Sequence, residues 1–321
     1  LIRLNLSLLA GLVSLAIAHA QIPVWIDTDP SVAPGGHEID DGFALIQAFH
    51  SKEIAIRGVS VVFGNAPLDT AMPIARQLLA LLSPPGPKPF PGAASASQMG
   101  QPTAASRSIA AALRKEKLTI LALGPVTNIA TVLKTHPELS TRISRIIAVA
   151  GRRPDQRFIV GTTSQRPLRD FNFEMDPAAM QIILDSKVPL VLAPFEISSK
   201  VWITASDIDA LRGKSPALDW LAGPAVDWLG VWKRSFGVDG FNPFDTLAVA
   251  VVSSPELISC EMLPVKIEEL ADDTGNKNPK AYLLASSRFQ STHSASYCYE
   301  AKPEFKNNLM TRLLTASFNS K

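Results

Sequence analysis

The run Val24-Trp25-Ile26-Asp27-Thr28-Asp29-Pro30, followed after nine residues by Asp40-Asp41-Gly42-Phe43-Ala44-Leu45, constrains this chain more than any other stretch. Val24 to Ile26 is a short apolar run of the kind that forms a buried strand. Phe43, Ile46 and Phe49 recur at three-residue spacing and predict a helix. Between these elements stand Asp27, Asp29, Asp40 and Asp41. Asp40 or Asp41 is placed to cap the helix, which accounts for only one of the four. The others repel one another unless a proton or a cation lies among them. A hard divalent ion with oxygen ligands is the economical answer.

Bulk properties narrow the classes. The chain has 321 residues, 46% hydrophobic and 19% charged, enough apolar material for a large core. A formal charge of +2 leaves no electrostatic footprint for nucleic acid or a polybasic membrane contact. Residues 1–20 combine Arg3, an apolar run from Leu4 to Ala18 and the small-x-small end Ala18-His19-Ala20. That pattern reads as a secretory signal peptide. The run is short for a stable membrane anchor, so a secreted domain over residues 21–321 is expected. Cys260 and Cys298 form an even pair that an oxidising compartment would join as a disulfide; two buried free thiols are the other reading.

The remaining chain alternates strand and helix signals. Strands are expected over residues 54–62, 119–123, 145–151 and 188–193, with helices over 68–82 and 102–116 and after Gly124. Asp176-Pro177 reads as an N-cap with proline at the first helical position. Helices containing Trp202, Trp220, Trp228 and Trp232 follow; Trp228 and Trp232, at i and i+4, read as core, with stacking on a ligand ring as the sharper alternative. Weaker strand signals lie near 262–270, 281–285 and 296–300, with a last helix near 304–317. This order predicts an α/β fold with an open, largely parallel, Rossmann-like sheet and helices on both faces. Ligands then gather outside the carboxyl ends of the strands.

Asp27-Thr28-Asp29-Pro30 with the Asp40-Asp41 pair resembles the N-terminal signature of the nucleoside hydrolases, the inosine/uridine-preferring ribohydrolases. Leu123-Gly124-Pro125-Val126-Thr127-Asn128-Ile129-Ala130, Asp170-Phe171-Asn172 and Phe244-Asp245-Thr246-Leu247-Ala248 extend the likeness over most of the chain. The resemblance implies calcium held by Asp29, Asp41, Asp245 and the Leu123 carbonyl, with Asp29 also the base that activates water. It implies that Asp40, Asn65, Asp170 and Asn172 hold a ribonucleoside substrate, with Phe244 beside the base. Asp27 would orient the loop and Glu196 would support the site from below. Members are commonly homodimers or homotetramers.

Three departures stand out. The insertion 31–39 lengthens the gap between the two acidic pairs; it is expected to bulge outward, the alternative being His37 and Glu38 at the mouth of the site. Asp170 replaces the usual Glu. Phe244 stands where many members have a His that serves as acid for the departing base. Two other readings stay open. Strand-Asp-Thr-Asp also resembles the opening of haloacid-dehalogenase-type phosphatases, and the departures suit a calcium-dependent nucleoside-binding protein without catalysis.

Overall fold

The computed structural model describes residues 20–82, 84–164 and 166–315. All but the last residue of the signal-like segment 1–20 therefore lie outside the described residues. Among the described residues nine strands form one sheet: β1 (Ile22–Thr28), β2 (Ile54–Val61), β3 (Phe90–Pro91), β4 (Leu118–Ala122), β5 (Ile143–Ala148), β6 (Leu190–Leu192), β7 (Ile258–Leu270), β8 (Lys280–Ala285) and β9 (Ser294–Ala301). Their order is β3-β2-β1-β4-β5-β6-β9-β7-β8. Every pairing from β3 to β9 is parallel; β7 then runs antiparallel to both β9 and β8. The open, largely parallel sheet expected from the sequence is thus present, with an antiparallel edge that the weak C-terminal signals did not define.

Period-two burial builds two cores. In β1, Val24 and Ile26 face one core with the helix Asp40–Phe49 and the helix Phe244–Ser253; Trp25 faces the other, with the helices Ala104–Lys115, Thr127–Thr135 and Pro177–Asp185. In β4, Leu121 points to the first core and Ile120 to the second. A sheet buried on both faces needs such strands, apolar on both sides.

The order reverses between β1 and β4: the chain winds outward through β2 and β3, then returns to β4 on the other side of β1. Two neighbouring loops diverge there, leaving the crevice where open α/β sheets bind ligands. Thr28 ends β1 and Ala122 ends β4, so Asp29 and Leu123 emerge side by side at this crevice, with Leu123 N–H bonded to Asp27 C=O at 2.8 Å.

Some expectations need correction. Neither Asp40 nor Asp41 caps the helix Asp40–Phe49: Ile39 is the N-cap and both carboxylates lie inside the first turn. Their side chains are thereby free for other work, and their charge suits the positive end of the helix dipole. Trp202 is not helical but lies beside the bridge Ile203–Phe241. Asp176 does cap Pro177–Asp185, accepting from the Ala179 N–H at 3.0 Å, and also binds the Thr127 hydroxyl at 2.6 Å.

Cys260 and Cys298 face each other across the β7–β9 pair and are joined as a disulfide that spans 38 residues of sequence. Such a crosslink restricts the unfolded chain by about 2–4 kcal/mol. Reduction, or Cys298→Ser, is expected to lower the melting temperature in thermal scans run with and without reductant; coincident melts would contradict this.

Candidate active site

At the crevice, Asp27, Asp29, Asp40, Asp41 and Asp245 are all buried. The first two come from the end of β1 and its loop, the middle two from the first turn of the next helix. Asp245 comes from the first turn of Phe244–Ser253, which packs against that helix inside the same core. Carboxylate oxygens of Asp40, Asp41 and Asp245 lie within 4.8 Å of one another, although some two hundred residues of sequence separate them.

Each carboxylate is held differently. Asp41 Oδ1 accepts from the Thr28 hydroxyl and from the Asp29 N–H at 3.2 Å, leaving Oδ2 buried and without a partner among the described residues. Asp29 Oδ2 accepts from the Asn65 N–H at 2.8 Å, and its Oδ1 is likewise unpartnered. Asp40 Oδ1 accepts from the Asp41 N–H at 3.1 Å. Asp27 turns to the Trp25 face, where Ser60 and the Asn128 amide (2.9 Å) donate to it and the Trp25 indole donates to Ser60 at 2.8 Å. Asp27 therefore braces the loop from beneath, and Asn128 also accepts from the Ala93 N–H at 2.9 Å.

Burial and mutual repulsion hold these groups well above the ordinary carboxylate range. Burial, then the Asp41 charge, raises Asp29; burial, then Asp40, raises Asp245; burial, then Glu38, raises Asp40. Asp41 is pushed to about 6 and Asp27 to about 7, chiefly by burial. Orphaned oxygens on repelling carboxylates fit a hard cation. The donors are all oxygen, and no His or Cys joins the group among the described residues.

A cavity of about 460 Å³ opens above this cluster, a size suited to a small organic ligand. Asp40, Asp245, Asn65 and Leu123 border its acidic end. Asp170 and Asn172 line it from the loop after β5. Asn172 donates to the carbonyls of Leu123 (2.8 Å) and Val149 (3.3 Å); Asp170 accepts from the Gly151 N–H at 2.8 Å. Burial, offset in part by Arg152, raises Asp170 to about 6. The remaining wall is aromatic: Phe158, Phe195, Trp228, Trp232, Phe236 and Phe244. Phe195 stacks on Phe158 with centroids 4.7 Å apart, and Phe244 lies 6.2 Å from Trp232. Trp232 thus serves as core and as cavity lining at once.

The structure brings Asp29, Asp40, Asp41, Asp245, Asn65, Leu123, Asp170, Asn172 and Phe244 to one crevice. The tightest carboxylate group contains Asp40, which the resemblance assigns to the sugar, and not Asp29. Glu196 does not touch the acidic cluster; it binds Arg153 (3.0 Å) and the Tyr297 hydroxyl (2.8 Å) beneath Phe195. The insertion does not simply bulge outward. His37 is exposed, but Glu38 lines the cavity and feels Asp41; burial, then Asp41, lifts it to about 7.

Sequence reasoning also missed the supports. Arg152, buried, sits 4.0 Å over the Phe158 ring and pairs with Asp273 at 2.7 Å, tying the loop after β5 to the β7–β8 hairpin. Gly64 and Gly124 flank Asp29 so closely that a Cβ on either would strike its carboxylate, at 2.7 Å from Cγ and Oδ1 in the case of Gly124. Gly124→Ala is expected to displace Asp29 and cut turnover about 100-fold, the effect of a misplacement near 1 Å, with a small change in melting temperature. Unchanged rates would show that Asp29 does not need this placement.

The model of the family described as inosine-uridine preferring nucleoside hydrolase matches residues 24–291. The chain belongs to this family. Its fold and its N-glycosyl hydrolase activity follow from that membership, and the phosphatase reading finds no support. Among relatives, the pyrimidine-specific ribonucleoside hydrolase RihA of Klebsiella pneumoniae is 27% identical over 267 residues, 74% of this chain and 81% of that protein. RihA of Salmonella schwarzengrund is equally similar, 27% over 267 residues with the same coverage of each chain. Among solved structures, a plant nucleoside hydrolase superposes with a TM-score of 0.76 at 20% identity, covering 92% of this chain and 100% of its own. The purine-preferring ribonucleoside hydrolase of Gardnerella vaginalis gives 0.73 at 21%, covering 93% and 100%. These two share the nucleoside hydrolase fold with this chain.

Proposed function

We propose that this nucleoside hydrolase uses calcium and Asp29 to cleave ribonucleosides to ribose and free base. The observation that carries the reading is the buried group of Asp40, Asp41 and Asp245, with orphaned oxygens on Asp41 and on the neighbouring Asp29, beside a cavity walled by aromatic rings. Asp29, Asp41, Asp245 and the Leu123 carbonyl would hold the ion; that carbonyl keeps a lone pair beyond the Asn172 bond. Calcium would orient a water and make it easier to deprotonate.

Asp29 would take the proton of the attacking water as the water oxygen bonds to the anomeric carbon and the C–N bond breaks. Positive charge on the sugar is then stabilised by the surrounding carboxylates. Asp40, Asp170, Asn172 and Asn65 hold the ribose hydroxyls. The base departs toward Phe244 and Trp228, which offer ring faces and no acid, and takes its proton from solvent. The chain's relatives prefer different bases, so none is assigned.

Residues 1–20 and the Cys260–Cys298 bond favour an extracellular place, since disulfides persist in oxidising surroundings. No helix among the described residues is long and apolar enough to cross a membrane. A homodimer or homotetramer, tested by light scattering, accompanies the reading. Its activity test is incubation with inosine, uridine and p-nitrophenyl phosphate, each with and without calcium. Calcium-dependent base release is expected; binding of nucleoside without release would favour the non-catalytic alternative.

A further inference from the structure

Arg152 carries its charge into the interior at 2% exposure, and Nε and Nη2 of its guanidinium have no hydrogen-bond partner among the described residues. Only Nη1 is engaged, donating to the Asp273 carboxylate at 2.7 Å and to the Gln156 carbonyl at 3.4 Å. A buried cation with so few partners is costly unless other groups take up its charge. Two rings do so: Cζ lies 4.0 Å from the centroid of Phe158 and 5.1 Å from that of Tyr282, both within reach of cation–π attraction. Asp273 is itself fixed, accepting from the Tyr282 hydroxyl at 3.0 Å and pairing with Lys280 at 2.9 Å.

Phe158 belongs to a stretch without helix or strand, so the place of its ring depends on side-chain contacts. It stacks on Phe195 at 4.7 Å, and Phe195 lies 6.1 Å from Phe244. A line of contacts therefore runs from the β7–β8 hairpin through the guanidinium to the aromatic wall, although Arg152 itself does not line the cavity. We propose that Arg152, anchored by Asp273, is a positioning residue that holds Phe158 and Phe195 as a preformed wall for the nucleobase. This rests on the cavity holding a nucleoside, as proposed above. Lysine is a poor substitute, since a compact ammonium cannot lie flat on the ring while it pairs with Asp273.

The test measures kcat and KM for inosine and uridine, and inhibition by free ribose, on the full chain with calcium and on Arg152→Met, Arg152→Lys, Asp273→Asn and Phe158→Leu. Arg152→Met is expected to raise KM about 10-fold, the worth of one desolvated cation–π contact. Loss of binding at the base alone leaves kcat nearly unchanged, and inhibition by ribose should be that of the wild type. Phe158→Leu should behave alike, and adding Arg152→Met to it should cost nothing more, because both remove one interaction. Arg152→Lys and Asp273→Asn should fall between wild type and Arg152→Met. If Arg152→Met does not fold, Asp273→Asn combined with Phe158→Leu closes the same cycle. Weaker inhibition by ribose would place the effect on Asp170, whose charge Arg152 offsets, and would overturn the proposal. So would a fall in kcat at constant KM, losses that add to those of Phe158→Leu, or wild-type kinetics in every variant. A wild-type protein that releases no base from any nucleoside would instead refute the reading of the cavity.

Discussion

Asp29→Asn is expected to lower base release by about 10²–10⁴-fold, the usual contribution of a positioned general base, with the fold intact. Asp29 leaves β1 at the point where the sheet order reverses, and one of its oxygens is occupied by the Asn65 N–H while the other is buried and unpartnered. An amide fits the same volume but cannot take the proton of water, and it also removes one negative charge from a cluster that repels itself. Melting temperature should therefore hold or rise while turnover collapses. Initial rates on inosine and uridine, read beside a thermal scan, check both halves; near-normal rates would sink the assignment of the base.

The second large effect is on stability and follows from the raised carboxyls. Asp27 and Asp41 bind protons in the folded state up to about pH 7 and about pH 6, against an ordinary value of 3.8, and Asp29, Asp40 and Asp245 shift in the same direction. Between those limits the folded chain holds more protons than the unfolded one. The favourable contribution of these groups is complete below about pH 4 and is lost as pH rises through 6 to 7. A bound divalent ion replaces the protons and competes with them. Calcium at a hundred times its dissociation constant adds about 2.7 kcal/mol. The gain in melting temperature on replacing EGTA by calcium is thus expected to grow from about pH 5 to about pH 8. A gain that is flat across this range would show that the cluster does not hold the ion.

The fold was largely legible because alternation of strand and helix signals leaves few topologies. Val24 and Ile26 against Trp25 already encode a strand buried on both faces. The antiparallel edge was not legible: β7 is long and half-exposed, and its partners are set by pairing with β9 across the disulfide, not by its own pattern. Asp40 or Asp41 reads as the cap because carboxylates at a helix start usually cap; the helix instead begins at Asp40 with Ile39 as its N-cap, which leaves both for the crevice.

Sequence alone determined the chemistry on offer: acidic residues clustered at a strand end, a proline-glycine turn after another strand, and a distant Asp opening an apolar helix. Those choices depend on residue type and local spacing, which the chain carries openly. Only the tertiary structure decided what meets. Asp245 reaches Asp41 because two helices pack together, Arg152 fixes Phe158 through a hairpin more than a hundred residues away, and Glu38 enters the cavity because its loop is pinned to the helix of Trp228. Contacts between segments far apart in the chain are set by packing of whole elements, and no window of sequence contains them.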